Sequence, residues 1–320
     1  YYLYAYDWRL DNLESVRGLA RLVDQIRTDH DDPSLKVDII AHSMGGMIAR
    51  YYLRYGTRDV TEDNEFPVNY HGESRVRRIV ILGTPNMGSV ESMKAFMVGR
   101  RIGLARIPPE VMLTFPSFYQ LFPHPLTNWL VDIDGRPFDL DPFDISTWQR
   151  FQWSLFDPKL RADILRGFDD PAAGEQRLAL LEKYFHKHIE RGRRFMWSLT
   201  VNMQRQPWQL VVFGGDCSLT PARMVVEEVA GEYKLRLKPE QIKSPRPGID
   251  YERLMLEPGD GLVTKTSLLA RQTLDPFVPR HRWSDFPIDY PLFLCEDHSQ
   301  LTNNAFFQNN LLHFLLSRDE

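Results

Sequence analysis

The ten residues 37–46, Val-Asp-Ile-Ile-Ala-His-Ser-Met-Gly-Gly, constrain the fold more than any other stretch of the chain. The apolar run predicts a strand, and the pattern over residues 44–55 predicts a helix. Ser43 therefore lies at a strand-to-helix turn, which is the context that the nucleophile-elbow motif requires. Ala41 and Gly45 stand two positions before and after it, where we expect crowded backbone to favour small residues. The pattern predicts Ser43 as a nucleophile; an ordinary tight turn with a buried serine is the alternative.

Strands and helices alternate in the first part of the chain. Residues 1–6, Tyr-Tyr-Leu-Tyr-Ala-Tyr, predict a buried strand, and apolar residues at helical spacing predict a helix after Asp11. Two more strands are predicted at residues 37–41 and 76–82. This order predicts an α/β fold with a mostly parallel sheet and helices on both faces. Because Tyr1 lies inside an apparent strand, we expect the first strands of the sheet to lie upstream of it.

The regular alternation stops near residue 87 and resumes near residue 207. The stretch between them is rich in aromatic residues and proline and contains helical patterns, which is typical of a cap inserted between two core strands. The core then continues with strands at 209–214 and 291–295 and a closing amphipathic helix at about 302–317. We expect a single domain over residues 1–320, with a core of residues 1–86 and 207–320 and a helical cap of residues 87–206.

Composition narrows the possible functions. The 320 residues are 43% hydrophobic and carry a formal net charge of −4, which gives no basic footprint for nucleic acid. The chain shows neither a signal peptide nor an apolar run of membrane-spanning length, and its localisation stays unknown. The acidic residues from Asp132 to Asp144 lack the spacing of a calcium loop, so we predict neither a metal nor a cofactor. We expect Cys217 and Cys295 to be buried free thiols.

A serine nucleophile needs a general base, and the base needs a third group that fixes its tautomer. When the serine lies on a nucleophile elbow, an Asp or Glu and then a His follow it along the chain. His298 comes after the last predicted strand and before the closing helix, where such a base usually lies. His281, before that strand, and His313, inside the closing helix, are the alternatives. We predict His298 as the base.

Two acids compete for the third position. Asp216 follows the strand that ends in Phe-Gly-Gly, and Asp260 lies in Pro-Gly-Asp-Gly. Both follow strand-like segments, and each could equally be a turn residue that accepts its own backbone N–H groups. The residues alone do not separate the two.

Acyl transfer also needs donors for the oxyanion of the tetrahedral intermediate. The backbone N–H of Met44, the residue after the nucleophile, is the predicted first donor. The second donor normally comes from a loop after an earlier strand, so we expect it upstream of Tyr1.

Five motifs carry a family resemblance. They are Tyr6-Asp7-Trp8-Arg9, Ala41-His42-Ser43-Met44-Gly45-Gly46, Gly83-Thr84-Pro85-Asn86, Gly259-Asp260-Gly261-Leu262-Val263 and His298-Ser299. In content and order they resemble the lecithin:cholesterol acyltransferase family, which includes the phospholipid:diacylglycerol acyltransferases and enzymes of the lysosomal phospholipase A2 type. The resemblance implies the α/β-hydrolase fold.

The resemblance also implies roles for particular residues. It favours Asp260 over Asp216 as the acid, with Ser43 as nucleophile and His298 as base. The usual Thr of the family's Gly-Asp-Gly motif is Leu262 here, a change that we expect to affect packing more than chemistry. The stretch from Phe115 to Pro123 looks like the aromatic cap segment of the family. The predicted substrate contacts are Trp8, Phe115, Phe118 and Tyr119.

Together these features predict serine-dependent acyl transfer from a lipid ester, such as a glycerolipid or phospholipid. Water as acceptor would make the protein a lipase or phospholipase, and an alcohol would make it an O-acyltransferase. The basic, partly apolar segment 183–194 could contact a membrane surface transiently. The alternative is a non-catalytic protein of the same fold that binds lipid or a partner.

Overall fold

The computed structural model describes residues 1–270 and 288–317 of the chain. The helices are α1 (Asn12–Asp29), α2 (Met44–Tyr55), α3 (Val90–Val98), α4 (Pro109–Met112), α5 (Pro116–Tyr119), α6 (Ile145–Arg150), α7 (Pro158–Arg166), α8 (Pro171–Ser198), α9 (Tyr251–Met255), α10 (Lys265–Leu269) and α11 (Ala305–Leu316). The strands are β1 (Val37–His42), β2 (Val76–Leu82), β3 (Arg100–Ile102), β4 (Ala105–Ile107), β5 (Leu130–Asp132), β6 (Gln209–Gly215), β7 (Ser218–Pro221), β8 (Met224–Val229), β9 (Glu232–Arg236), β10 (Leu256–Gly259) and β11 (Tyr290–Leu294). Short 3-10 turns lie at His71–Ser74, Ser154–Phe156, Pro239–Gln241 and Leu301–Asn303.

Four parallel strands form the central sheet in the order β1-β2-β6-β11. Ile81 of β2 lies opposite Ala41 of β1 on one side and Val212 of β6 on the other. Since all four strands run the same way, their carboxyl ends meet at one edge, where ligand sites of α/β sheets usually form. The predicted parallel sheet is confirmed, and the predicted bounds of α2 and β2 match the structure.

Successive side chains of β2 point to opposite faces of the sheet and pack against a different layer of helices on each face. Ile79 and Ile81 belong to the large apolar cluster that includes α1, α2 and the helices of the predicted cap. Val80 and Leu82 point to the opposite face, where they pack with Phe307 of α11. A strand buried on both faces in this way is typical of a parallel sheet covered by helices on both sides.

Residues 1–6 do not form the buried strand that their sequence predicts. No strand of the described residues pairs with them, and β1 is an edge strand whose Ile40 side chain is 42% exposed. Tyr2 and Tyr4 contact α1 instead: the Tyr2 hydroxyl donates to Asp29, and the Tyr4 hydroxyl donates to the carbonyl of Ser15 at 2.7 Å. A strand requires a neighbouring backbone for its N–H and C=O groups. Because residues 1–6 pair neither with the open edge of β1 nor with any other described strand, their side chains pack but no ladder forms.

The C-terminal end of α8 is held by α2. The Tyr55 hydroxyl donates to the carbonyl of Ser198 at 2.7 Å, and the Arg50 guanidinium donates to the carbonyl of Leu199 at 2.6 Å. Arg54 donates to a carbonyl two residues further along. The last carbonyls of a helix lack partners within it and carry the negative end of its dipole. The buried guanidinium of Arg50 therefore stabilises the end of this 28-residue helix, and the buried guanidinium of Arg54 holds the segment that follows it.

The basic residues of segment 183–194 are largely engaged within the chain. Arg191 forms ion pairs with Asp11, the N-cap residue of α1, and with Asp59. The arginines at positions 193 and 194 both pair with Glu190. Of the helices in the described part of the chain, none combines the length and the apolar character needed to cross a membrane.

A second, smaller sheet lies beside the helices of the predicted cap. It has the order β5-β8-β9, with Val131 of β5 parallel to Val225 of β8. Strand β5 lies inside the segment 87–206, whereas β8 and β9 follow β6 of the central sheet. The division into core and cap stays a proposal, and this sheet joins the two.

His124 is a fully buried histidine that links two loops of the predicted cap. Its Nδ1 accepts the backbone N–H of Leu126 at 3.1 Å, so its Nε2 carries the proton and lies 3.2 Å from the Thr200 hydroxyl. Burial lowers the pKa of His124 from 6.5 to about 3. A second proton would also break the bond to Leu126, so the imidazole is neutral in the folded protein.

This depressed pKa predicts a loss of stability in acid. Between about pH 6.5 and pH 3 the unfolded chain binds a proton at His124 that the folded chain does not bind, so unfolding becomes easier as the pH falls. The free energy of unfolding should fall by up to about 1.4 kcal/mol per pH unit from this group. Urea unfolding at several pH values should show a shallower slope in His124→Asn. The exposed His30→Asn is the control, and equal slopes in all three proteins would contradict the account.

Candidate active site

Ser43 lies on a strained turn between β1 and α2. Its φ of 55° and ψ of −131° are unfavourable for a residue with a side chain. Two hydrogen bonds hold the turn: the Ser43 N–H donates to the carbonyl of Leu82 at 2.7 Å, and the Thr84 hydroxyl donates to the carbonyl of Ser43 at 2.9 Å. The geometry is that of the predicted elbow, with the hydroxyl directed toward the carboxyl edge of the sheet.

The tight position of the elbow is Gly46 and not Gly45. A Cβ atom on Gly45 would lie 3.6 Å from the Tyr6 hydroxyl, which is an ordinary contact. On Gly46 it would lie 2.0 Å from the Thr84 hydroxyl that bonds Ser43. The expectation of crowding two residues after the serine is therefore corrected, because the close neighbour is a side chain of the next motif.

His298 lies on the loop between β11 and α11, next to Ser43. Its Nε2 lies 2.9 Å from the Ser43 hydroxyl oxygen. Of the two alternatives, His313 is on the exposed side of α11, and His281 lies outside the described residues. The structure thus brings the predicted base and nucleophile into hydrogen-bond contact.

The carboxyl group of Asp260 lies on the other side of the His298 ring. Its Oδ2 is 2.8 Å from His298 Nδ1, and its Oδ1 accepts the backbone N–H groups of Leu262 at 3.0 Å and Val263 at 2.7 Å. Asp216 instead forms an ion pair with Lys265. Of the two candidate acids, only Asp260 contacts the histidine.

These contacts define the protonation state that the site can use. Since the Asp260 carboxylate accepts a hydrogen bond from Nδ1–H of His298, the Nε2 of His298 is left to accept the proton of Ser43. A carboxylate in this position also stabilises the imidazolium that forms when the serine is deprotonated. The arrangement has the geometry needed for His298 Nε2 to accept the proton of the Ser43 hydroxyl.

His42 supports the His298 loop, a role that sequence reasoning missed. Its Nε2 lies 2.9 Å from the carbonyl oxygen of His298, and the two rings have centres 4.7 Å apart. Burial, followed by the charge of His298, lowers the pKa of His42 below 6.5. A neutral His42 does not oppose a positive charge on His298. In the sequence, only the position of His42 directly before Ser43 indicated such a supporting role.

Gly83 leaves space for the acid and the base. A Cβ atom on Gly83 would lie 2.8 Å from Asp260 Oδ2 and 3.0 Å from His298 Nδ1. Its φ of +54° is also in the region that favours glycine. The contact between Asp260 and His298 thus explains why glycine is the first residue of the Gly-Thr-Pro-Asn motif.

A cavity of about 540 Å³ opens above Ser43 and His298. Ligand sites of this size are common for drug-sized molecules and lipid chains. Of the four aromatic residues predicted to contact the substrate, Trp8 and Phe118 line it, and Phe115 packs edge-on against Trp8 with ring centres 5.5 Å apart. Tyr119 does not: it is fully buried, and its hydroxyl donates to the carbonyl of Leu113 at 2.9 Å. Tyr119, the last residue of α5, packs into the core, so the structure does not place it at this cavity.

The hairpin of β3 and β4 borders the same cavity. Arg100 and Ile102 line it, and the Arg100 guanidinium lies 5.3 Å from the centre of the Phe118 ring. Leu104, in the turn of the hairpin, is fully exposed. An apolar tip with arginines at its base is thus placed at the edge of the cavity.

Met44 also lines the cavity and is the first residue of α2. The first N–H groups of a helix have no carbonyl partner within it and carry the positive end of its dipole. Such a group can donate to an anion formed beside Ser43.

Cys217 and Cys295 are joined by a disulfide, so the expectation of buried free thiols is wrong. Cys217 follows β6 and Cys295 follows β11, which are neighbouring strands, and their Cα atoms are 5.0 Å apart. Both residues are exposed. The two cysteines are 78 positions apart in the sequence, so local patterns gave no sign that they are close in space.

Asp132 and Asp144, the first and last acidic residues of the run, have structural partners. Asp132 accepts the N–H groups of Asp134 and Arg136 in a turn with Gly135, and Asp144 caps α6. Within residues 1–270 and 288–317, no three His, Cys, Asp or Glu side chains are grouped as metal ligands.

Part of the chain, residues 3–138, matches the model of a known family. The model of the lecithin:cholesterol acyltransferase family matches residues 3–138, which include the motifs around Trp8, Ser43 and Gly83. The resemblance is confirmed over that range, whereas Asp260 and His298 lie beyond it. Curated protein sequences give no match.

One solved structure overlaps with nearly the whole chain at a TM-score above 0.5. The crystal structure of the Tle4–Tli4 complex overlaps with a TM-score of 0.62 at 14% identity, over 96% of this chain and 66% of that one. The chain thus spans just under two thirds of that chain's length. The structure of Staphylococcus hyicus lipase overlaps with a TM-score of 0.36 at 15% identity, over 88% of this chain and 69% of that one. The Tle4 overlap and the parallel sheet establish the α/β-hydrolase fold.

The crowding at Gly83 predicts a large cost for a single methyl group. Gly83→Ala should lower the free energy of unfolding by about 2–4 kcal/mol, because a strained φ is combined with overlap of Asp260 and His298. Gly103→Ala is the matched control: its φ is +57°, but no atom lies within 4 Å of the added carbon. That variant should lose about 1 kcal/mol. Equal losses in urea unfolding would show that the site above Gly83 is not crowded.

Proposed function

We propose that this protein transfers the acyl group of a lipid ester through a covalent acyl-Ser43 intermediate. The observation that supports this proposal is one continuous series of hydrogen bonds, from Asp260 through His298 to Ser43, at the base of a large cavity. A buried serine in a simple turn would need neither the imidazole nor the buried carboxylate.

In the first half of the reaction, the Ser43 oxygen attacks the ester carbonyl while His298 Nε2 takes its proton. The tetrahedral oxyanion accepts the N–H of Met44. The intermediate then collapses, the bond to the leaving alcohol breaks, and His298 returns the proton to that alcohol. Asp260 holds the His298 ring and stabilises its charge throughout.

In the second half, an acceptor attacks the acyl-Ser43 ester and gives its proton to His298. Water yields a free fatty acid, as in a lipase or phospholipase. An alcohol yields a new ester, as in an O-acyltransferase. Both outcomes use the same residues, so access of water to the cavity decides between them. The family match supports either one.

Segment 87–206 is the proposed cap, and its hairpin of β3 and β4 is the proposed lid. The hairpin's position beside Phe118 at the edge of the cavity supports this role. Its exposed Leu104 could rest on the surface of a lipid aggregate while the substrate enters.

The proposal predicts that Ser43→Ala abolishes turnover but leaves lipid binding intact. Turnover of short-chain nitrophenyl esters, glycerolipids and phospholipids should fall by at least about 10³-fold, since the nucleophile is removed. Ser146→Ala, an exposed serine on α6, is the control and should keep full activity. Chromatography of the products, with and without an added alcohol, identifies the acceptor. Equal turnover in Ser43→Ala and wild type would defeat the proposal, and lipid binding without any turnover would favour a non-catalytic lipid carrier.

A further inference from the structure

The disulfide between Cys217 and Cys295 joins the two loops that leave neighbouring strands at the carboxyl edge of the sheet. Leu294, the last residue of β11, lies opposite Gly215, the last residue of β6. The N–H of Asp216 donates to the carbonyl of Leu294 at 3.3 Å, which is the last link between the two backbones before they separate. The covalent bond therefore continues the pairing of the strands into the loops.

On one side of the disulfide the chain leads to the base. Cys295 is three residues before His298. Between them, the carboxylate of Asp297 accepts a hydrogen bond from the Ser218 hydroxyl at 2.7 Å. The segment that carries the imidazole is thus attached to the Cys217-Ser218 pair twice, once through sulfur and once through oxygen.

On the other side the chain leads to the acid. Ser218 begins β7, which pairs antiparallel with β10, and Ser218 lies opposite Gly259, the residue before Asp260. An isolated β-bridge also pairs the backbone of Ser218 with that of Asp260. Cys217 and Ser218 therefore contact the segments of both the acid and the base.

We infer that Cys217, Cys295 and Ser218 are positioning residues that fix the His298 ring relative to Asp260 and Ser43. None of the three needs to touch the substrate. If the disulfide is broken, the His298 loop is still held by the hydrogen bond from its N–H to the carbonyl of Asp260 at 2.8 Å. This bond and the contact with His42 define the position of the His298 ring less closely than the disulfide does. Acid–base catalysis depends on the distances from the ring nitrogens to Ser43 and Asp260.

Cleavage of the disulfide between Cys217 and Cys295 requires only a reductant. Both cysteines are exposed, so a dithiol can attack the disulfide. The dithiol supplies two electrons and two protons, is oxidised to its own disulfide and leaves Cys217 and Cys295 as thiols. The kinetic consequence rests on the proposed function, whereas the effect on the His298 loop does not.

The test compares wild type, the double variant Cys217→Ser/Cys295→Ser, and Ser218→Ala alone and combined with the double variant. In the double variant, kcat for a nitrophenyl ester should fall by between about 3-fold and 30-fold with little change in KM, because the chemical step and not binding is affected. Dithiothreitol should lower the kcat of wild type by the same factor and leave the double variant unchanged. Ser218→Ala should cost more in the double variant than in wild type, because the two attachments support the same loop.

A second readout does not require activity. Hydrogen exchange of the peptide that contains the His298 amide should accelerate by at least about 3-fold when the disulfide is removed. His124→Asn is the control for general loss of stability: it lies away from this loop and should leave kcat and the exchange of the peptide unchanged. All assays are run at a temperature where circular dichroism shows every variant folded.

The outcomes separate two possible failures. Unchanged exchange at His298, or an unchanged kcat in a variant that is only less stable to heat, would overturn the positioning role. Accelerated exchange in a protein without any esterase activity would keep the positioning of His298 and defeat the proposed function instead. An equal loss of kcat in His124→Asn would show that the effect of the disulfide is general stability.

Discussion

The side chain of Asp260 is only 1% exposed, and the burial of its carboxyl group determines the geometry of the residues around it. Burial of a carboxylate is unfavourable unless hydrogen bonds replace its water. Asp260 obtains them from the backbone of its own Gly-Asp-Gly turn and from His298. Gly83 provides the space for this contact. The orientation of the imidazole, and with it the access of Nε2 to Ser43, follows from satisfying one buried group.

The parallel sheet explains how residues so distant in sequence meet. Ser43 follows β1 and His298 follows β11, and both strands end at the same edge. Asp260 reaches that edge through β10, which pairs with β7 directly after β6. Side chains of α2, the helix that begins after Ser43, also donate hydrogen bonds to the carbonyls at the C-terminal end of α8. Ser43 and the predicted cap are therefore both attached to α2. We expect movements of the cap to be coupled to the elbow through these bonds.

The sequence predicted the features that local patterns encode. The elbow, α2, β2 and the helices on both faces follow from apolar spacing and turn residues, and the motifs identified Asp260 and His298. Features that depend on contacts between residues distant in sequence were not predicted. Residues 1–6 pair with no described strand, and the disulfide joins cysteines 78 positions apart. Tyr119 packs in the core, whereas its neighbour Phe118 lines the cavity. The tight contact at Gly46 likewise depends on Thr84, a residue of another motif.

Fluorophosphonate labelling with mass spectrometric mapping tests the central claim most directly, because the reagent reacts with an activated serine whatever the substrate. The account predicts one adduct, on Ser43, formed about 10²–10⁴-fold more slowly in His298→Ala and Asp260→Asn. Asp216→Asn, which removes the other candidate acid, should label within about 3-fold of wild type, since that residue pairs with Lys265 instead. No adduct on Ser43 in folded protein whose cavity is opened by detergent, or equal labelling in His298→Ala, would contradict the account.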